Sequence, residues 1–164
     1  MSDYDSRNVF ETLGAFVPGY KGYAAKEMRR ETDRILRHAI VGQLQDRKRV
    51  LDDLMRDCAS SRRLEHLESL ESVRRRIEQV ADSIRYAVQG YSGFFDTVQV
   101  KNEDLDRLYR YDLGLRERTE RFTKDLLELR GTSDIPAGCA KLLASLQELS
   151  ELARKRDSAI TETA

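Results

Sequence analysis

The pattern that most constrains this chain is a set of apolar residues at Leu70, Val73, Ile77, Val80, Ile84, Ala87 and Tyr91, alternating steps of three and four. Such steps put every side chain on one face of an α-helix. Sustained this long, they form the seam of a helical bundle or coiled coil. Comparable stripes flank it. The first runs from about Ala24 to Cys58 through Leu36, Ile40, Leu44, Leu51 and Leu54. A third starts near Asn102 and carries Leu105, Leu108, Leu115, Phe122, Leu126 and Leu129. The fourth holds Leu142, Leu143, Leu146, Leu149 and Leu152, and its tail is predicted to fray after Arg156. Only 9 Gly and 2 Pro occur in 164 residues, so little interrupts these helices.

Local chemistry sets the breaks. Val17-Pro18-Gly19 is a turn signal. Cys58-Ala59-Ser60-Ser61 is a weaker stop, with Ser61 as the N-cap of the next helix, and Leu64 resumes the stripe out of phase with Cys58; one continuous helix kinked by that skip is the alternative. Gly90 and Gly131 end the second and third stretches, Asn102 caps the third, and Thr132-Ser133-Asp134 caps the fourth, with Pro136 in its first turn. Long helices joined by short links favour antiparallel neighbours. The predicted architecture is therefore all-α: an antiparallel up-down four-helix bundle over residues 24–160, preceded by an N-terminal aromatic arm and turn over residues 1–23. Long helical hairpins or a coiled coil are the alternative. The first helix, at about 50 Å, is long enough to overhang and meet another subunit.

Charge excludes several functions. The 29 basic and 29 acidic residues balance, which removes the usual basic footprint of a nucleic-acid binder. No apolar run approaches the roughly 20 residues of a membrane helix. In the arm, Val9, Phe10, Leu13, Phe16 and Val17 share a face, but Asp3, Asp5 and Glu11 oppose only Arg7, the wrong polar side for insertion into a bilayer surface. The arm is expected to dock on its own bundle. Cys58 and Cys139 have no metal or redox spacing and read as buried thiols at one end of the bundle. With no secretory signal visible, the cytosol is the default location.

Aromatic residues are unevenly placed. Gly19-Tyr20-Lys21-Gly22-Tyr23 and Gly90-Tyr91-Ser92-Gly93-Phe94 share the form G-Y-x-G-aromatic. In an antiparallel bundle both segments fall at the same end, with Tyr4, Phe10, Phe16, Tyr86, Phe95, Tyr109 and Tyr111. This pole reads either as an aromatic mini-core or as a docking surface. The residues assigned to partner binding are Phe16, Pro18, Gly19, Tyr20, Gly22, Tyr23, Lys26, Arg29, Arg30, Tyr86, Gly90, Tyr91, Gly93, Phe94 and Phe95.

The blocks Phe16-Val17-Pro18-Gly19-Tyr20-Lys21-Gly22-Tyr23 with Lys26-Glu27 and Arg29-Arg30-Glu31, and Ile84-Arg85-Tyr86-Ala87 through Gly90-Tyr91-Ser92-Gly93-Phe94-Phe95-Asp96, resemble a family of uncharacterised helical proteins of bacteria and archaea. That resemblance implies no activity and no catalytic residue.

Chemical motifs are sparse. A bundle di-metal site needs Glu-x-x-His, whereas Ile35 and Arg63 stand three residues before His38 and His66. No phosphate loop or hydrolase elbow appears. Asp112 sits on a seam between Leu108 and Leu115, and a buried carboxylate there needs a partner, for which Arg85 or Arg34 are the candidates. Arg47-Lys48-Arg49 and Arg74-Arg75-Arg76 read as solvated faces. The function expected is a non-catalytic adaptor or assembly subunit without metal or cofactor, binding a protein partner or a second copy of itself. The alternatives are a peripheral membrane scaffold anchored by residues 8–17, and a sensor or enzyme with a pocket among Tyr20, Tyr23, Tyr86, Tyr91 and Tyr109.

Overall fold

The computed structural model describes residues 3–87, 96 and 100–162. Among these residues the chain is all-helical, with five α-helices: α1 (Asp3–Phe16), α2 (Lys26–Ser60), α3 (Leu67–Tyr86), α4 (Asn102–Leu129) and α5 (Ile135–Glu162). A 3-10 turn over Leu64–His66 precedes α3. The four expected helices are thus joined by a fifth, because the N-terminal arm is itself helical. Alone, 14 residues would be marginal as a helix. Val9, Leu13 and Val17 are buried in the common core, and α1 packs on α4. Burying each such side chain stabilises by roughly 1.5–3 kcal/mol, enough to hold the helix in place.

The break after Cys58 is real, and its chemistry differs from the expected cap. Ser61 is the C-cap of α2, and Arg62 takes φ 59° beyond it. The Arg62 amide donates to the Ala59 carbonyl and the Arg63 amide to the Cys58 carbonyl, closing a Schellman turn with arginine where glycine is usual. Leu64 does not resume the seam; it is 61% exposed, and the buried stripe restarts at Leu70. The 20-residue α3 starts later than expected and also ends earlier, at Tyr86 with Ala87 as its C-cap, where Gly90 was expected to end it. Asn102 is the first helical residue of α4 and not its cap, which is Lys101. The Asp134 cap holds: its Oδ1 accepts the Ala137 amide at 3.0 Å.

Cross-helix bonds fix the directions. Arg37 of α2 donates to the Ile84 carbonyl near the end of α3, while Lys48 pairs with Glu78, so these helices are antiparallel. Lys141 with Asp125, and Arg156 with Asp112, make α4 and α5 antiparallel. Arg76 bonds Gln147 midway, and Arg37 joins Ile84 to Asp157 near the ends, so α3 and α5 run the same way. Arg156 likewise joins Asp33 to Asp112, and Arg47 reaches Thr123, so α2 and α4 are parallel. The packed pairs are α2–α3, α3–α5, α5–α4 and α4–α2. Successive long helices do reverse direction, but two of these four packed pairs are parallel. Sequence order alone does not specify which helices become neighbours.

Candidate functional site

The turn between α1 and α2 is built from its residues. Pro18 and Gly19 occupy its centre, Gly19 has φ +86°, and the Tyr20 amide donates to the Val17 carbonyl at 3.0 Å. Proline followed by a left-handed glycine is the signature of a type II turn. Gly22, at φ +74°, redirects the chain again, and a Cβ there would lie 2.6 Å from Tyr109 Oη. Thr32 Oγ1 donates to the Gly22 carbonyl, while Tyr109 Oη accepts the Tyr23 amide at 2.9 Å. Arg29 Nε donates to the Tyr23 carbonyl at 2.8 Å. These bonds hold the turn against α2 and α4.

Two tyrosines then enter the core. Tyr20 and Tyr23 both donate to Asp112 Oδ2, each at 2.7 Å. Arg156 donates through Nε to Asp112 Oδ1 (2.7 Å), through Nη1 to Asp33 Oδ1 (2.6 Å) and through Nη2 to Tyr23 Oη (2.7 Å). Arg37 Nε reaches the other oxygen of Asp33 at 2.9 Å, and its Nη2 pairs with Asp157. Asp112 is 0% exposed, Arg156 2% and Asp33 3%. Phe10, Tyr20, Tyr23 and Tyr109 form a chain of ring contacts with centroids 5.7–6.0 Å apart.

Electrostatics follow from this packing. Burial opposes ionisation of Asp33, but Arg156 and Arg37 outweigh it and hold the carboxyl below its usual range. Burial, assisted by Asp112, pushes both the Tyr20 and Tyr23 hydroxyls far up; Arg156 opposes the shift at Tyr23 without reversing it. Burial also works against the Arg156 cation, yet Asp112 and Asp33 keep it firmly protonated. Two guanidiniums and three carboxylates thus share one cluster, with neutral phenols filling the remaining acceptor sites. Removing one partner from such a set strands a buried charge.

The predicted partners of Asp112 need correction. Arg85 pairs with Asp82 and Arg34 with Glu31, while Arg156 holds Asp112. The cause is the length of α5, which continues to Glu162 where fraying was expected. Arg156 follows Leu142, Leu146, Leu149 and Ala153 in steps of four, three, four and three, so it occupies the next core position. That spacing was a readable signal. Asp33, Arg37 and Asp157 were missed because charged residues at core phase look like solvated ones until their partners are known.

The expected partner-binding residues divide by exposure. Tyr20, Gly22, Tyr23 and Arg29 are buried, Phe16 is half-buried, and Pro18, Gly19, Lys26, Arg30 and Tyr86 are exposed. Gly90, Tyr91, Gly93, Phe94 and Phe95 lie outside the described residues. Arg30 forks onto Asp96 at 2.9 and 3.0 Å on the rim. Of the tyrosines proposed to form a pocket, Tyr20, Tyr23 and Tyr109 pack on one another, Tyr86 is 75% exposed, and Tyr91 is outside the described residues. The basic triplets lie in polar contacts: Arg47 with Thr123, Lys48 with Glu78, Arg49 with Asp46, Arg74 and Arg75 with Glu71, and Arg76 with Gln147.

The fold and site together define an all-helical protein whose N-terminal turn is fastened by a buried ionic network. Comparison with family models, curated proteins and solved structures yields no match.

Proposed function

We propose that this chain is a non-catalytic helical adaptor or assembly subunit, docking a protein partner or a second copy of itself through the rim of its glycine–aromatic pole. In this reading the four long helices form a bundle that serves as the frame, and α1 with its turn is the fitted cap. One observation carries the reading. The Asp112–Arg156 network fixes the turn from below, while Pro18, Gly19, Lys26 and Arg30 remain exposed along the turn and the start of α2, and Tyr86 is exposed at the end of α3. A fixed rim loses little freedom on docking, so less binding free energy is spent on ordering it. Tyr86, a large ring at 75% exposure, is suited to anchor such a contact.

Light scattering over a wide concentration range, with pull-down from the native host, tests the proposal. Assembly or capture should be lost in Tyr86→Ala combined with Lys26→Ala, while the melting temperature stays nearly unchanged, because both residues are exposed. A chain that stays monomeric and captures nothing, or a double variant that associates like the parent, overturns it.

A further inference from the structure

Side chains that a folded chain normally buries or pairs are left unsatisfied at one end of this one. Because α2 and α4 are parallel, and each is antiparallel to the helix that follows it, the α2–α3 and α4–α5 turns lie together, opposite the glycine–aromatic pole. Among the described residues, the exposed leucines are Leu64, at 61%, and Leu127, at 50%. Leu64 stands in the first of these turns and Leu127 in the last turn of α4.

The arginines gather at the same end. Among the described residues, Arg62, Arg63, Arg130 and Arg154 are the arginines with neither an ion pair nor a side-chain hydrogen bond, and the first three lie in these two turns. Arg62 also holds φ 59°, a conformation that glycine adopts cheaply and arginine does not. A side chain kept where the backbone asks for glycine points to a use beyond folding.

The surrounding charges select the partner. Asp57 and Glu68 have no side-chain partner, Glu65 stands 3.6 Å from His66, and Asp134 caps α5. Glu128 is held between Lys124 and Lys141. Unpaired guanidiniums and carboxylates are therefore close to balance. A polyanion or an anionic bilayer would meet the arginines and repel the carboxylates. A surface carrying the same mixture satisfies both signs, and a second copy of this end is such a surface. In a two-fold contact one patch faces itself, so arginines of each copy meet carboxylates of the other.

We propose that the α2–α3 and α4–α5 turns form a two-fold contact between two copies of this chain. Leu64 and Leu127 supply its apolar contacts, and Arg62, Arg63 and Arg130 pair across it with acids of the second copy. The contact lies at the end away from the docking rim, leaves that rim open on both copies, and does not depend on the docking proposal.

Sedimentation equilibrium of the full chain over a wide concentration range tests it, with a monomer–dimer equilibrium expected. Leu64→Ser with Leu127→Ser should raise the dimer Kd by about tenfold or more with little change in melting temperature, because both side chains are exposed. Arg62→Gly should raise the melting temperature by about 2–4 °C, since it relieves a left-handed residue, and yet weaken the dimer. Charge reversal tests the pairing itself. An acidic variant, Arg62→Glu with Arg63→Glu, and a basic variant, Asp57→Lys with Glu68→Lys, should each stay monomeric, and their equimolar mixture should restore the dimer. Tyr86→Ala with Lys26→Ala should abolish what the rim docks, capture or assembly beyond the dimer, and leave this dimer in place. A monomer at every concentration, a dimer indifferent to the leucine changes, a dimer lost with the rim variant, or a mixture that stays monomeric overturns the proposal.

Discussion

The two ends of this helical protein are held together by different physics. Where α2 ends and α5 begins, the seam is mainly apolar: Leu54, Cys58, Leu126, Leu129, Ile135, Cys139 and Leu142 are all buried, with Asp125 at its edge against Lys141 and Ser145. Where α2 begins and α5 ends, the equivalent interior is filled by Asp33, Arg37, Asp112 and Arg156 with Tyr20 and Tyr23. Apolar packing is strong but tolerant, since one aliphatic side chain can slide past another at modest cost. The ionic end is selective. Arg156 meets Asp33, Asp112 and Tyr23 at once only if α2, α4, α5 and the N-terminal turn share one register. Burying these charges adds little net stability, because their desolvation offsets most of the attraction. What the cluster adds is a single fitted register for a short helix that apolar burial holds in place but does not orient.

Breaking the network should give the largest effect. Arg156→Leu leaves Asp112 buried beside no cation and Asp33 with Arg37 alone, and should lower unfolding free energy by about 3–5 kcal/mol in urea melts. Restoring the cluster's charge with Asp112→Asn in the same chain should recover a measurable part of that loss. No recovery would mean that shape, not charge, dominates this end.

Backbone strain comes next. Gly22→Ala forces a Cβ toward Tyr109 Oη at a left-handed residue and should cost about 1–3 kcal/mol. Gly19→Ala is also left-handed, but its Cβ would meet only Ile35 at 3.8 Å, so about 1 kcal/mol is expected. Thermal melts of the two variants check both size and order.

Acid sharpens the comparison further. The Asp33 carboxyl lies below its ordinary range in the folded chain, so it stabilises above the unfolded carboxyl value, about 3.9, and that contribution fades as pH falls through the folded value. Urea midpoints of the parent should drop below about pH 4, and Asp33→Asn should flatten that drop.

The apolar end should respond least. Burial and the neighbouring Cys58 push the Cys139 thiol up to about 11, so it is protonated near neutrality. At about pH 8, a thiol reagent should label Cys139 only as fast as the protein opens, and Cys139→Ala should cost about 1 kcal/mol. Fast labelling of the folded chain would show that this end is looser than its packing implies.

Much of this was readable in the sequence. The 3–4 stripes located the long helices, and Pro18-Gly19 and Asp134 marked turns that the structure keeps. Asp112 stood out as a polar residue at core phase. Its partner did not, because Arg156 lies 44 residues away, beyond the last leucine of its stripe. Helix neighbours were also hidden: the packing of α3 with α5 in parallel is set by side-chain complementarity across the assembly. Aromatic crowding at Phe10, Tyr20, Tyr23 and Tyr109 was legible, but the burial of Tyr20 and Tyr23, against the exposure of Tyr86, depends on side-chain placement that periodicity does not encode.

The central claim is that the tyrosine–carboxylate–arginine network fastens the N-terminal helix and turn to the rest of the protein. Hydrogen exchange on the double variant Tyr20→Phe, Tyr23→Phe tests it most directly, since both rings remain and only the hydroxyl bonds to Asp112 and Arg156 are lost. Faster exchange across Val9–Val17, with Leu115–Leu126 and Leu142–Leu149 unchanged, is the predicted result. Equal protection of Val9–Val17 in parent and variant would contradict the account.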